Sequence, residues 1–143
     1  MRPNDGPLQT GEHILAKIIE TKFSDAKVGI AKFEPESGIL EILTQSDLRT
    51  IDIPALQQEV NEVISRNLTV KRSVMPRVEA EKIVNLRKVP PCVEQIRIVE
   101  IGDFDKRPCK DPHVDNTKDI GKFIILGVER VGNGRYRFSF TTG

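Results

Sequence analysis

The last part of the chain carries the feature that most restricts its fold. Two apolar segments, residues 122–131 and 135–141, flank the sequence Gly132-Asn133-Gly134. Asn-Gly between two such segments is a strong hairpin signal, because both residues tolerate the backbone angles of a tight turn. A hairpin must bury its apolar face against other elements. The sequence therefore predicts an antiparallel sheet that this hairpin completes.

The rest of the chain alternates between helical and strand patterns. Helices are predicted at residues 10–21, from residue 53 onward and at 76–86, and strands at 27–33, 39–43, 68–74 and 94–101. Thr10 is the predicted N-cap of the first helix, and Pro54 suits the first turn of the second. These elements predict an α+β fold with two layers, an antiparallel sheet and helices packed on one face. The length suits one domain, residues 1–143.

The composition indicates a globular protein without a membrane partner. Hydrophobic residues make up 38% of the chain and charged residues 30%, whereas disordered chains are poorer in apolar residues. The apolar runs are too short to cross a bilayer, and the N-terminus lacks an apolar secretion signal. Two cysteines cannot form a disulfide framework. We therefore expect a cytoplasmic location, and the oligomeric state stays open.

Charge is distributed unevenly, although the net charge is only +1. Residues 1–65 carry 6 Lys/Arg against 11 Asp/Glu, and residues 66–143 carry 16 against 10. A basic segment at residues 66–88 can neutralise the phosphates of a polyanion. A solvated surface face is the alternative interpretation. The nucleic-acid-binding candidates are Lys71, Arg72, Arg77, Lys82, Arg87 and Lys88.

Cys109 and His113 lie four residues apart in a turn-forming stretch, and His13 is the other histidine of the chain. A thiol and two imidazoles are zinc ligands, and a site with three protein ligands keeps one position open for water. Gln9 precedes His13 by one helical turn but offers a poor ligand for zinc. Glu12 and Asp111 are alternative carboxylate ligands. The alternative without metal makes His13 a partly buried polar residue and Cys109 a small hydrophobic one.

Three longer stretches resemble a known family. They are Val99-Glu-Ile-Gly-Asp-Phe-Asp-Lys-Arg-Pro-Cys109, His113-Val-Asp-Asn-Thr117 and Gln9-Thr-Gly-Glu-His13. They look like the second additional domain of alanyl- and threonyl-tRNA synthetases, which also occurs in the AlaX editing proteins. The resemblance covers nearly the whole chain, from about Gln9 to the closing hairpin.

The resemblance implies a zinc site and an activity. It assigns zinc to His13, Cys109 and His113, with Gln9 in place of the family's first histidine. It also implies that Thr10 lies near the substrate amino acid, where its hydroxyl would recognise a serine hydroxyl. The implied reaction is hydrolysis, in trans, of serine or glycine esters on alanine tRNA. The family's Gly-Gly-Thr between Cys109 and His113 is replaced here by Lys-Asp-Pro.

Three functional hypotheses remain open from the sequence. The first is the zinc-dependent editing hydrolase. The second is a non-catalytic tRNA-binding module with a degenerate metal site, which the changes at Gln9 and residues 110–112 motivate. The third is a metal-free interaction domain that pairs subunits through an apolar edge strand near residues 123–128. The chain contains neither a Gly-x-x-x-x-Gly-Lys phosphate loop nor a dinucleotide-binding glycine pattern, so we expect no ligase activity from it alone.

Overall fold

Helices and two antiparallel sheets make up the computed structural model, which describes residues 2–143. The predicted α+β class is confirmed, and the strands are divided between two sheets. Short 3-10 helices cover Leu48–Thr50 and Thr117–Ile120. The main elements are α1 (Asp5–Lys22), β1 (Lys27–Phe33), β2 (Ser37–Leu43), α2 (Ile53–Ser65), β3 (Val70–Pro76), α3 (Arg77–Ala80), β4 (Gln95–Ile101), β5 (Asp105–Pro108), β6 (Phe123–Gly132) and β7 (Arg135–Thr142).

The larger sheet has the strand order β1-β2-β7-β6, and the predicted closing hairpin forms its β6–β7 edge. Gly134 adopts a positive φ of 67°, which explains the glycine in the turn. Leu40 of β2 faces Phe138 of β7, and both side chains are fully buried. Helices α1 and α2 contact this sheet and cover its apolar face.

Helix α1 begins earlier than the sequence predicted, at Asp5, so the prediction that Thr10 caps it is wrong. Pro7 suggested that the helix starts after it. A proline is nevertheless tolerated in the first helical turn, because the amide hydrogen it lacks would have no partner there. The helix also approaches the sheet closely at Gly11. A Cβ at Gly11 would lie 2.7 Å from the ring of Phe123, so only glycine permits this packing.

The smaller sheet has the order β3-β4-β5 and carries a short helix, α3. The predicted helix at residues 76–86 is wrong beyond Ala80, because the chain continues as turns. Arg77 holds these turns in place, since its guanidinium donates to the carbonyl oxygens of Pro90 and Val93. Strand β5 was missed by the sequence analysis because it has only four residues, mostly polar.

One hydrophobic core joins the two sheets. Val70, Val99 and Ile101 of the smaller sheet belong to the same buried cluster as the residues between the larger sheet and its helices. This packing brings the end of β5 against the first helix. No helix within residues 2–143 has both the length and the apolar character that crossing a membrane requires.

Candidate metal centre

His13, Cys109 and His113 converge at the junction of α1 and the segment after β5. One donor atom from each lies within 4.8 Å of the others. The two imidazole rings meet edge to face with centroids 4.5 Å apart, and His113 Nε2 lies 3.3 Å from Cys109 Sγ. Both histidines are buried. The three residues that the sequence spacing selected are therefore neighbours in the fold.

Hydrogen bonds with residues of β3 and β4 in the smaller sheet hold the segment after β5. The amide of Cys109 donates to the carbonyl oxygen of Arg97 at 3.0 Å, and Arg97 donates to the carbonyl oxygen of Asp111, also at 3.0 Å. Arg72 of β3 donates to the carbonyl oxygen of His113 and forms an ion pair with Asp115 at 2.9 Å. The loop is thus fixed on both sides of Cys109 and His113 by arginines of β3 and β4.

Thr10 lies directly behind His113. Its Oγ1 lies 2.9 Å from His113 Nδ1 and accepts a hydrogen bond from the amide of Val114 at 3.1 Å. Nε2 of His113 is the nitrogen beside the Cys109 sulfur. If it binds a metal, Nδ1 carries the ring proton and donates a hydrogen bond to Thr10 Oγ1. Thr10 then fixes both the ring orientation and the tautomer of His113.

Burial sets the protonation of the three donors. It lowers the pKa of His13 well below its usual value, and Arg107 adds to the effect. Burial also lowers the pKa of His113 to about 4, helped by Arg97 and Arg72, and raises the pKa of the Cys109 thiol to about 11. Both imidazoles are therefore neutral at pH 7, which is the form that binds metals.

The donor set fits zinc. Two neutral imidazoles and one thiol are typical zinc ligands. The buried Nδ1 of His13 has no hydrogen-bond partner within residues 2–143, and Oδ2 of Asp105 lies 3.9 Å from it. No carboxylate of residues 2–143 belongs to the cluster, although Asp111 Oδ2 lies 3.7 Å from Cys109 Sγ. Gln9 lines the same cleft as His13 and Cys109.

The chain is similar in sequence to known tRNA-editing proteins and to domains of tRNA synthetases. The family model of the threonyl and alanyl tRNA synthetase second additional domain matches residues 96–139. The chain is 34% identical to the alanyl-tRNA editing protein AlaX-M of Saccharolobus solfataricus, over 94% of this chain and 57% of that protein. It is 29% identical to AlaX-L of Pyrococcus horikoshii, over 95% of this chain and 33% of that protein. An alanine–tRNA ligase of Caldivirga maquilingensis is 34% identical over 95% of this chain and 16% of the ligase.

The resemblance to the AlaX-like editing domains is confirmed. The chain spans a little over half the length of AlaX-M and a third of AlaX-L. The match to the family model includes Cys109 and His113. His13 and Thr10 lie upstream of residues 96–139, and the fold brings them next to Cys109, His113 and Val114 of that segment.

The cleft beside the candidate metal centre has a volume of about 1100 Å³ and mainly basic walls. Of the six basic residues selected from the sequence, Arg87 and Lys88 line it. Lys71 is exposed elsewhere, Lys82 pairs with Glu79, and Arg72 and Arg77 donate to loop carbonyl oxygens. Seven further basic residues that the sequence analysis missed also line the cleft, namely Arg2, Lys17, Lys32, Arg97, Lys106, Arg107 and Lys110.

A second buried polar cluster adjoins the candidate metal centre, and the sequence analysis named only its Glu12, as an alternative zinc ligand. Arg107 donates to Asp105 at 2.8 Å and to Glu20 at 3.0 Å, and the Asp105 side chain is only 4% exposed. Burial raises the pKa of Glu12 to about 7, against the attraction of Arg107 and Lys88. No sequence signal joins these residues, because α1 and β5 meet only in the folded chain.

Replacing Thr10 with valine is expected to weaken zinc binding by the protein about 10- to 100-fold, the usual cost of losing a partner behind a metal ligand. Valine keeps the shape of threonine but offers no acceptor to His113. Competition with a chelator of known affinity measures the change, and Thr10→Ser, which keeps the oxygen, should bind zinc almost as tightly as the wild type. Unchanged zinc affinity in Thr10→Val would contradict the role of this hydroxyl.

Replacing Glu12 with glutamine is expected to stabilise the metal-free domain at pH 8 by about 2–3 kcal/mol and to change little at pH 4. The pKa of Glu12 is raised in the folded state to about 7, so the folded state retains a proton that the unfolded chain loses near 4.5. The wild type therefore loses stability as the pH rises from about 4.5 to 7, and the variant avoids this loss. Urea unfolding with a chelator present tests the prediction. A gain that does not depend on pH would refute it, and Glu20→Gln is the matched control.

Proposed function

We propose that the domain hydrolyses the ester bond between a wrongly attached amino acid and the 3′ end of alanine tRNA, in trans, with zinc held by His13, Cys109 and His113. The observation that carries the proposal is the convergence of these three donors beside a basic cleft, which His13 and Cys109 line. It occurs in a chain similar to alanyl-tRNA editing proteins over most of its length. Serine and glycine are the amino acids that we expect to be removed.

The residues of the chain divide the work between them. His13, Cys109 and His113 would hold zinc, which as a Lewis acid would supply polarisation of the ester carbonyl or activation of water. Gln9, at the cleft wall one helical turn before His13, leaves the fourth position free of a strong protein ligand. Arg97 and Arg72 keep the ligand loop, residues 109–113, in place.

The basic walls of the cleft suit the tRNA end. Arg87 and Lys88 line the cleft near Val28 and Gly29 of β1, whose carbonyl oxygens they contact. Phosphates of the 3′ strand would pass between this wall and Lys110 on the ligand loop. Lys71 and Lys82 lie outside the cleft, and any role for them in tRNA binding would involve phosphates farther from the ester.

We propose that Thr10 recognises serine only if the structure around its hydroxyl group rearranges. The Thr10 side chain is fully buried, and its oxygen already contacts His113 and Val114. A serine hydroxyl would reach it only if the side chain of His113 or the backbone at Val114 moved. The variant Thr10→Val separates the two roles. Loss of serine preference with unchanged zinc affinity supports recognition, whereas loss of zinc affinity supports positioning of His113.

Deacylation assays test the proposed function. Zinc-supplied protein is expected to release serine and glycine from alanine tRNA and to spare alanine, measured as loss of acid-precipitable label. Binding of the tRNA should weaken steeply with salt, because each phosphate contact releases counterions. Salt-dependent binding without any deacylation would overturn the hydrolase and support the non-catalytic tRNA-binding module. Rapid release of correctly attached alanine would refute the proposed selectivity.

A further inference from the structure

Glu12 presents a buried carboxylate to the cleft immediately beside the metal centre. It precedes His13 on α1 and lines the cleft, as do Gln9 and Glu20 on the same helix. Glu12 is only 6% exposed, and its Oε2 is buried without a hydrogen-bond partner in residues 2–143. A carboxylate taken out of water without a partner destabilises the fold. Such a group therefore points to a ligand.

The cations near Glu12 are engaged with other groups. Arg107 donates to both oxygens of Asp105 and to Glu20, and Lys88 Nζ donates to the carbonyl oxygen of Gly29. Within residues 2–143, neither cation forms an ion pair or a hydrogen bond with Glu12, whose Oε2 stays unpartnered. The carboxyl group of Glu12 is therefore available to a cationic group that enters the cleft.

This carboxylate is placed beside the donor cluster and not within it. The group of atoms within 4.8 Å of one another includes one each from His13, Cys109 and His113, and Glu12 contributes none. A cationic group of the substrate, lying next to a carbonyl at the metal centre, is the ligand that fits this position. In an aminoacyl ester only the Cα atom separates the α-ammonium nitrogen from the carbonyl carbon.

We propose that Glu12 binds the α-ammonium group of the aminoacyl end, so that the domain accepts esters with a free α-amine and rejects those in which the amine is acylated. The inference rests on the proposed function, because it assumes that an aminoacyl ester enters the cleft. It adds a substrate requirement that the three zinc ligands and Thr10 do not impose. Peptidyl and N-formylated or N-acetylated ends, which lack the cation, would leave Glu12 buried and unpaired.

Two hydrolysis-resistant compounds test the assignment by binding alone. The first is 3′-deoxyadenosine carrying serine through a 3′-amide, and the second is the same compound with an acetylated α-amine. Calorimetry with the zinc-supplied full chain is expected to show at least about tenfold tighter binding of the free amine, the range for a hydrogen bond to a charged group. Glu12→Gln should bind both compounds with similar affinity.

The control is Glu20→Gln, which removes a charge from the same cleft wall and should keep the preference. Equal affinity of the wild type for the two compounds, or binding of neither, overturns the assignment. So does a preference that persists in folded, zinc-containing Glu12→Gln. No bond is broken in these compounds, so the result is independent of turnover. A Glu12-dependent preference in a protein that never deacylates tRNA would refute the proposed hydrolysis and keep the ammonium site.

Discussion

Replacing Cys109 with alanine is expected to remove zinc from the purified protein and to abolish the release of serine from alanine tRNA that carries it. The thiol is the only sulfur donor of the cluster, and a bound metal replaces its proton. Without it, two imidazoles remain, and we expect zinc affinity to fall more than about a hundredfold. Elemental analysis measures the zinc content, and single-turnover deacylation measures the activity.

Cys92 supplies the matched control, because it is exposed and lies on a turn outside the cleft. Cys92→Ala is expected to keep the wild-type zinc content and rate. Circular dichroism excludes misfolding of Cys109→Ala, since Cys109 packs partly against the main core. A folded Cys109→Ala protein that retained one zinc per chain would refute the metal centre. One that lost zinc but kept full activity would refute the role of the metal in hydrolysis.

Local patterns predicted the elements whose stability comes from local or hairpin contacts. The hairpin around Gly132-Asn133-Gly134 and the helix from Ile53 were recognised because turn chemistry and helical spacing lie within a few residues. The segment at residues 81–94 was predicted partly as helix because its apolar spacing suits one. In the fold its apolar residues instead cover Ile96 and Ile98 as irregular chain, and Arg77 binds the loop carbonyl oxygens. Tertiary contacts therefore determine the conformation of this segment.

At the site, too, sequence patterns predicted some residues, and tertiary contacts placed the others. The spacing and the motif selected Cys109, His113 and His13, and the fold brings these three residues together. Thr10 was selected for contact with substrate, but its observed partners, His113 and Val114, lie more than one hundred positions away in the sequence. The sequence offered Glu12 only as an alternative zinc ligand and gave no signal for Arg107, because a charged residue on an amphipathic helix or short strand usually faces solvent. Only the junction of α1 with β5 brings these two residues close together beside the candidate metal centre.

Replacing Arg107 with alanine is expected to destabilise the domain by about 3 kcal/mol. The Arg107 side chain is 20% exposed, and that of its partner Asp105 only 4%. Removing one member of a buried ion pair leaves the other charge without compensation, which typically costs about 3–5 kcal/mol. The partial exposure of Arg107 favours the lower end of this range. Urea unfolding with a chelator present measures the loss without a contribution from zinc binding.

Lys106 is the control on the same strand. It pairs with Glu100 at 3.5 Å, and its side chain is 42% exposed, so Lys106→Ala should cost less than about 1 kcal/mol. The double variant Arg107→Ala with Asp105→Asn should recover part of the loss, because it removes the uncompensated charge. If Arg107→Ala and Lys106→Ala cost the same, the buried charges are not what holds β5 against α1. In that case apolar packing alone would position Cys109 beside His13.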